Sequence, residues 1–287
     1  MVNRLAGNPP VSYWGIVKKT FKERFLVSVV LMGGLFLAIQ YLPDIGFFCV
    51  LQILIIVSLL EFYNLFQGTK NPPYQILGLI MSLLISVSFL FETITLEMVL
   101  FSSLFLAAAY ALVFLKRAET LAPFANAIAL TLLGPLFVTF TLNYVYLLRL
   151  EKGAVYVYFL MIIIILGDTA AYFVGKFWGK HLLAPKASPR KTWEGTFGGF
   201  VFAGLGALFV QQVLIPDILL WKAVGVAVLV HIFAQIGDLL ESLFKRAVGR
   251  KDSSNILAGH GGFLDRIDSF VLTAPFFYFI LKIIRLN

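Results

Sequence analysis

Ionisable side chains are scarce in this sequence, and the scarcity excludes whole classes of protein. Charged residues make up 13% of the 287 positions and hydrophobic ones 60%, with a mean hydropathy of +0.91. A water-soluble domain runs at roughly 45–50% apolar, so a conventional globular fold is excluded and the chain reads as an integral membrane protein. Cysteine occurs once, as Cys49 within an apolar run; there is no disulfide framework and no cysteine metal site, and we expect Cys49 in the core. His181 and His231 read as structural. Acidic residues number 15 against 23 lysines and arginines, a net charge of +8. Nucleic acid is not the expected partner, because the bases sit in short loops beside apolar helices with no aromatic-lined soluble module. The lipid bilayer and membrane topology account for the excess better.

What is abundant is apolar sequence in lengths that suit a bilayer, for which about 20 helical residues are needed. Runs fall at 25–42, 45–66, 76–91, 96–115, 123–148, 155–177, 195–215, 218–240 and 267–284. The expected architecture is therefore all-α: a polytopic integral membrane protein of about nine transmembrane helices. The third and last runs are short, and Pro275 interrupts the last. With the N-terminus on the cytoplasmic side, only Arg149, Lys152, Lys222, Lys282 and Arg285 of the 23 basic residues fall outside, as the retention of basic loops in the cytoplasm requires. We divide the chain into a basic segment 1–24, N-terminal transmembrane helices 25–150 and a C-terminal catalytic region 151–287. No small-residue cleavage site follows the first apolar run, so the basic segment is expected to be retained. Within it Tyr13, Trp14, Val17, Phe21 and Phe25 recur at the spacing of a helix lying at an interface.

Three constellations carry the chemistry. The first is Asp168, about midway along an apolar run, where an aspartate costs roughly 2.5–3.5 kcal/mol to insert. Tyr172 and Lys176 follow at four-residue steps on the same helical face, forming a polar stripe toward the cytoplasmic end. The second is the segment KASPRKTWE at 186–194, read as a basic loop, with Ser188, Arg190, Lys191 and Glu194. Arginine offers phosphate a bidentate fork and lysine a compact charge. The glycines after it, Gly195, Gly198, Gly199, Gly204 and Gly206, suit close helix packing better than a phosphate loop.

The third constellation is the most specific. Asp238, Glu241, Ser242 and Lys245 share one face of a helix leaving the membrane, and Asp265 and Asp268 lie three apart on the next. Between them Arg246, Arg250, Lys251, Asp252 and His260 precede the pair Gly261 and Gly262, where backbone can approach a ligand unobstructed. Carboxylates facing one another across two helices suit magnesium, which binds through one or two of them plus phosphate and water.

These residues carry a resemblance. The pattern Ser-x-apolar-Lys-Arg, four residues, Lys-Asp, a short spacer, then His-Gly-Gly-apolar-x-Asp-Arg-apolar-Asp resembles the phosphatidate cytidylyltransferase (CDP-diacylglycerol synthase) family. It is met by Ser242, Phe244, Lys245, Arg246, Lys251, Asp252, Leu257, His260, Gly261, Gly262, Phe263, Asp265, Arg266, Ile267 and Asp268. Ala258 departs from it, standing where the family has proline or glycine. The segments SPRKTWEG and GDTAAYFVGK also resemble the family, so the likeness runs from Asp168 to Asp268. The earlier half resembles it only as apolar helices.

The resemblance implies that CTP and phosphatidic acid give CDP-diacylglycerol and pyrophosphate. It implies magnesium (Mg2+), expected as more than one ion, with potassium (K+) as an additional ion and a homodimer as an assembly. On this reading Asp238, Asp265, Asp268, Lys245, Arg266 and His260 are catalytic, with Asp238 and Asp265 as principal metal ligands and Asp268 or Asp168 in support. The two alternatives are a CTP-dependent polyprenol or dolichol kinase, which would transfer the γ-phosphoryl group, and a secondary transporter. A transporter should show internal repeats with matching broken helices, whereas the charged motifs here crowd the C-terminal half.

Overall fold

The computed structural model describes residues 29–114, 121–254, 256 and 261–284. The aromatic stripe of the basic segment 1–24, together with Ala258 and His260, lies outside the described residues. Helices succeed one another with little between them: α1 (Val29–Tyr41), α2 (Asp44–Phe66), α3 (Gln75–Ser88), α4 (Leu96–Phe114), α5 (Leu121–Gly134), α6 (Thr141–Lys152), α7 (Ala154–Trp178), α8 (Trp193–Leu214), α9 (Leu220–Ala247) and α10 (Leu264–Ile284). Among the described residues seven spans are long and apolar enough to cross a membrane, one of them the continuous stretch Phe124–Lys152, and α1 and α3 are shorter apolar helices. Within the described residues each expected apolar run is largely helical, and the chain is an all-α polytopic membrane protein.

Lipid as solvent explains which way residues face. Leu112 is 84% exposed, and Phe101, Ile76 and Trp221 also lie on the outside. Cys49, expected in the core, is likewise exposed; an apolar residue has no reason to turn inward when the solvent is hydrocarbon. Between helices the attraction is packing rather than hydrophobic exclusion, and aromatic side chains supply much of it. Phe244 of α9 meets Phe62 of α2 and Phe137 with centroids 5.4 Å apart in both cases, so the first half of the chain grips the helix that carries Asp238.

The junction of α5 and α6 is a π-helical stretch, Pro135–Phe140. Pro135 has no amide hydrogen and crowds the preceding turn, and nearby side chains take up the loosened backbone. Tyr63 of α2 donates its hydroxyl to the carbonyl of Thr131, four residues before Pro135, at 2.8 Å.

One feature departs from the expected loop at 186–194. Leu182–Ala184 (β1) and Ser188–Thr192 (β2) form an antiparallel hairpin, with Leu182 opposite Thr192 and Ala184 opposite Ser188. It runs straight into α8, whose first turn is capped by Thr192 Oγ1 accepting from the Gly195 amide at 3.1 Å.

The expected glycine packing is found where α8 crosses α7. A Cβ at Gly195 would fall 2.6 Å from the Ala171 carbonyl oxygen, and one at Gly199 would fall 2.1 Å from His231 Nε2 and 3.1 Å from the Gly167 carbonyl oxygen. Gly204 is not part of this contact, its nearest neighbour being Val224 at 3.7 Å. His231 is fully buried as a wedge between Gly167 and Gly199. With no room for the ring to retreat, Gly199→Ala should destabilise the detergent-solubilised protein by about 1–3 kcal/mol through overpacking. Thermal unfolding reads this directly, and an unchanged melting temperature would show that Gly199 is not in such close contact with His231 of α9.

Candidate active site

A cleft of about 800 Å³ opens among α7, β2, α9 and α10. It gathers residues separated by a hundred positions: Asp168, Tyr172 and Lys176 from α7, Ser188, Arg190 and Lys191 from β2, Asp238 from α9, and Asp265, Arg266 and Asp268 from α10. Apolar side chains, Ile164, Ile165 and Phe270, form part of the same wall.

Inside a low-dielectric bundle each carboxylate needs an answering donor or cation, and the cleft supplies them as a continuous chain. Asp168 accepts from Gln235 Nε2 at 3.1 Å through Oδ1 and from Ser269 Oγ at 2.8 Å through Oδ2. Gln235 accepts in turn from Lys191 Nζ at 3.0 Å, and Lys191 pairs with Asp238 Oδ2 at 2.7 Å. Ser242 approaches Asp238 Oδ1 at 3.4 Å, and the Ser269 amide donates to Asp268 Oδ1 at 2.7 Å.

A second cluster backs the cleft. Lys245, nearly buried, is held between Glu241, which is fully buried, and Asp265 Oδ1 at 2.6 Å. Asp265 Oδ2 accepts three further bonds, from Ser253 N and Ser253 Oγ at 2.9 Å each and from Gly262 N at 2.8 Å. Gly261 has φ +80°, a conformation that glycine adopts without penalty, and a Cβ there would lie 2.7 Å from Asp265 Oδ2.

The remaining residues singled out in the sequence lie outside the cleft lining. Glu194 accepts from the amides of Lys180 and His181 at 3.1 and 3.2 Å and pairs with His181 Nδ1 at 2.6 Å, bracing the entry to the hairpin. Arg246 donates to the carbonyls of Ala187 and Arg250 at 3.4 and 3.1 Å, tying the hairpin turn to the end of α9. Lys251 and Asp252 are exposed in the loop after α9.

Three participants were not among the sequence candidates. Gln235 lies one turn before Asp238, and Ser269 directly follows Asp268. Glu61 of α2 is 1% exposed and accepts from Ser253 Oγ, Ser254 Oγ and the amides of Phe263 and Leu264. It carried the signal that marked Asp168, a lone acid within an apolar run.

The donor chemistry defines which metal would fit. Among the described residues no three His, Cys, Asp or Glu side chains converge to cage an ion. Asp238 and Asp268 nevertheless both line the cleft, and Asp265 spends Oδ1 on a lysine that a cation could replace. This suits an ion that brings phosphate and water as its other ligands, the habit of magnesium.

Because Lys245 is the one cation paired with Glu241 among the described residues, Lys245→Met should cost about 3–5 kcal/mol, the usual consequence of leaving a buried charge without its partner. Adding Glu241→Gln should recover part of that loss in thermal unfolding; a single variant as stable as the parent would show that the pair contributes nothing.

Comparison with known proteins agrees with this geometry. The chain is 42% identical over 153 residues to a phosphatidate cytidylyltransferase of Staphylococcus epidermidis, covering 53% of this chain and 58% of that one. It is 46% identical over 136 residues to the phosphatidate cytidylyltransferase of Bacillus subtilis, covering 46% and 49%. The matched stretch thus spans about half the length of the curated relatives. The model of the cytidylyltransferase family matches residues 22–284, nearly the whole sequence. The chain belongs to the cytidylyltransferase family.

Proposed function

We propose that this protein transfers the cytidylyl group of CTP to phosphatidic acid, giving CDP-diacylglycerol and pyrophosphate for phospholipid synthesis. The observation that carries this reading is a single cleft, built within membrane helices, in which four aspartates stand among lysines and arginines beside an apolar wall. The names of the relatives favour the same reaction. A lipid phosphate can sit among the charges while its acyl chains remain in hydrocarbon.

The lipid phosphate is already anionic near neutral pH, so no side chain has to remove a proton to make it a nucleophile. Its oxygen attacks the α-phosphorus of CTP, the bond from that phosphorus to the β-phosphate oxygen breaks, and pyrophosphate leaves with the electron pair. What opposes the step is repulsion between two polyanions. Lys176, Arg190, Lys191 and Arg266 reduce that repulsion and hold the phosphates in line, which is where most catalysis of phosphoryl chemistry lies. Asp238 and Asp268, with Asp265 through the oxygen now held by Lys245, would hold magnesium. When bound, magnesium supplies further neutralisation of charge on the transferring phosphate. We place the cleft at the cytoplasmic face, in the inner membrane of a bacterium, where nucleotide is available.

CTP labelled separately in its α- and γ-phosphates decides the reaction. Supplied with phosphatidic acid and magnesium, the purified protein should put α-label into lipid; γ-label in lipid would instead make it a kinase. Exhaustive chelation should stop turnover, and Asp238→Asn should lower kcat by about a hundredfold or more. Full activity after chelation would remove the metal from the mechanism.

A further inference from the structure

We propose that Glu61, far from the signature in sequence, is a positioning residue of the cleft, fixing the first turn of the helix that carries Asp265, Arg266 and Asp268. The proposal rests on the cytidylyl-transfer reading for its kinetic consequence and on geometry alone for its structural one. Glu61 faces four neutral donors, one of which, the Ser253 hydroxyl, shares its single proton with Asp265. Oε1 takes Ser254 Oγ at 2.7 Å and the Phe263 amide at 3.1 Å, and Oε2 takes the Leu264 amide at 2.8 Å and Ser253 Oγ at 3.1 Å. The two amides belong to the start of α10, where backbone donors lack intrahelical acceptors and the helix dipole presents partial positive charge. A buried anion from another helix answers both needs.

The same carboxylate gives a reason for the second glycine of the Gly261–Gly262 pair. A Cβ on Gly262 would fall 2.4 Å from Glu61 Oε2 and 2.0 Å from Ser253 Oγ. Ser253 Oγ also contacts Asp265 Oδ2 at 2.9 Å, and Asp265 holds Lys245. A relay of contacts therefore runs from α2 through Ser253 to Asp265 and Lys245. Farther along, α10 has its own anchors, Phe277 against Phe159 at 5.6 Å and Tyr278 hydrogen-bonded to Glu151 at 2.6 Å. Loss of Glu61 should accordingly free the first turn of α10 while the rest of the helix stays in place.

The test uses the full chain in detergent with phosphatidic acid, and compares Glu61→Gln and Glu61→Asp with the parent. Glutamine keeps the shape but sets an NH2 group against an amide donor. Its kcat per folded molecule should fall on the order of tenfold to a hundredfold, as for other small misplacements of reacting groups, with KM for CTP changing much less. Hydrogen exchange in the peptide covering residues 262–266 should rise, and around Phe277 it should not. Aspartate keeps the charge but falls short of both amides, so its kcat should lie between those of the parent and the glutamine variant. An unchanged kcat in a folded glutamine variant, or unchanged exchange at 262–266, overturns the proposal. If the glutamine variant does not fold, parent-like kcat in Glu61→Asp overturns it. Absence of cytidylyl transfer in the parent would defeat the functional reading, while the exchange measurement would still judge Glu61.

Discussion

The fold of the site depends on one constraint: carboxylates placed inside an apolar helix bundle must each be matched by a donor or a cation. Asp168, Asp238, Glu241, Asp265 and Glu61 meet it in different ways. Asp168 is answered by neutral Gln235 and Ser269, Asp238 by Lys191, Glu241 and Asp265 by a shared lysine, and Glu61 by hydroxyls and amides. These obligations join α2, α7, β2, α9 and α10 more specifically than apolar packing can, since helix contacts in lipid gain little from hydrophobic exclusion.

The arrangement also separates two kinds of acid. Asp238, Asp265 and Asp268 all line the cleft, but Asp238 holds Lys191 and is approached by Ser242 and Asp268 accepts from the Ser269 amide, whereas Asp265 holds Lys245 and accepts from Ser253 and the Gly262 amide as well. The glycines of the signature follow from this division. Gly261 admits the turn that brings the neighbouring Gly262 amide to Asp265, and Gly262 leaves room for Glu61 and Ser253. Backbone and buried carboxylates thus build the rear wall, and the less committed groups line the cleft.

Much of this was legible in the sequence because a charge in an apolar run stands out. The helix runs, Asp168, the stripe through Tyr172 and Lys176, and the meeting of Asp238 with Asp265 and Asp268 of the next helix all follow from spacing, and the cleft contains these side chains. What was missed gave no local sign of its partners. The hairpin at 182–192 is hidden because a short basic strand capped by a helix reads as a loop. Glu194 and Arg246 carry the residue types expected of ligands, but their charges brace the hairpin. Glu61 meets its amide partners about 200 residues later in the chain, a distance over which no periodicity speaks.

That contact bears on how the molecule can be divided. Every signature residue lies beyond Gly153, which invites the view of a self-sufficient C-terminal half with a membrane anchor attached. Yet α10 begins on an acid contributed by α2, and Phe244 meets Phe62 of that same helix edge to face. Chimeras that exchange the front halves of related chains would have to carry this glutamate across, or inherit a C-terminal half whose last helix starts without its counter-charge.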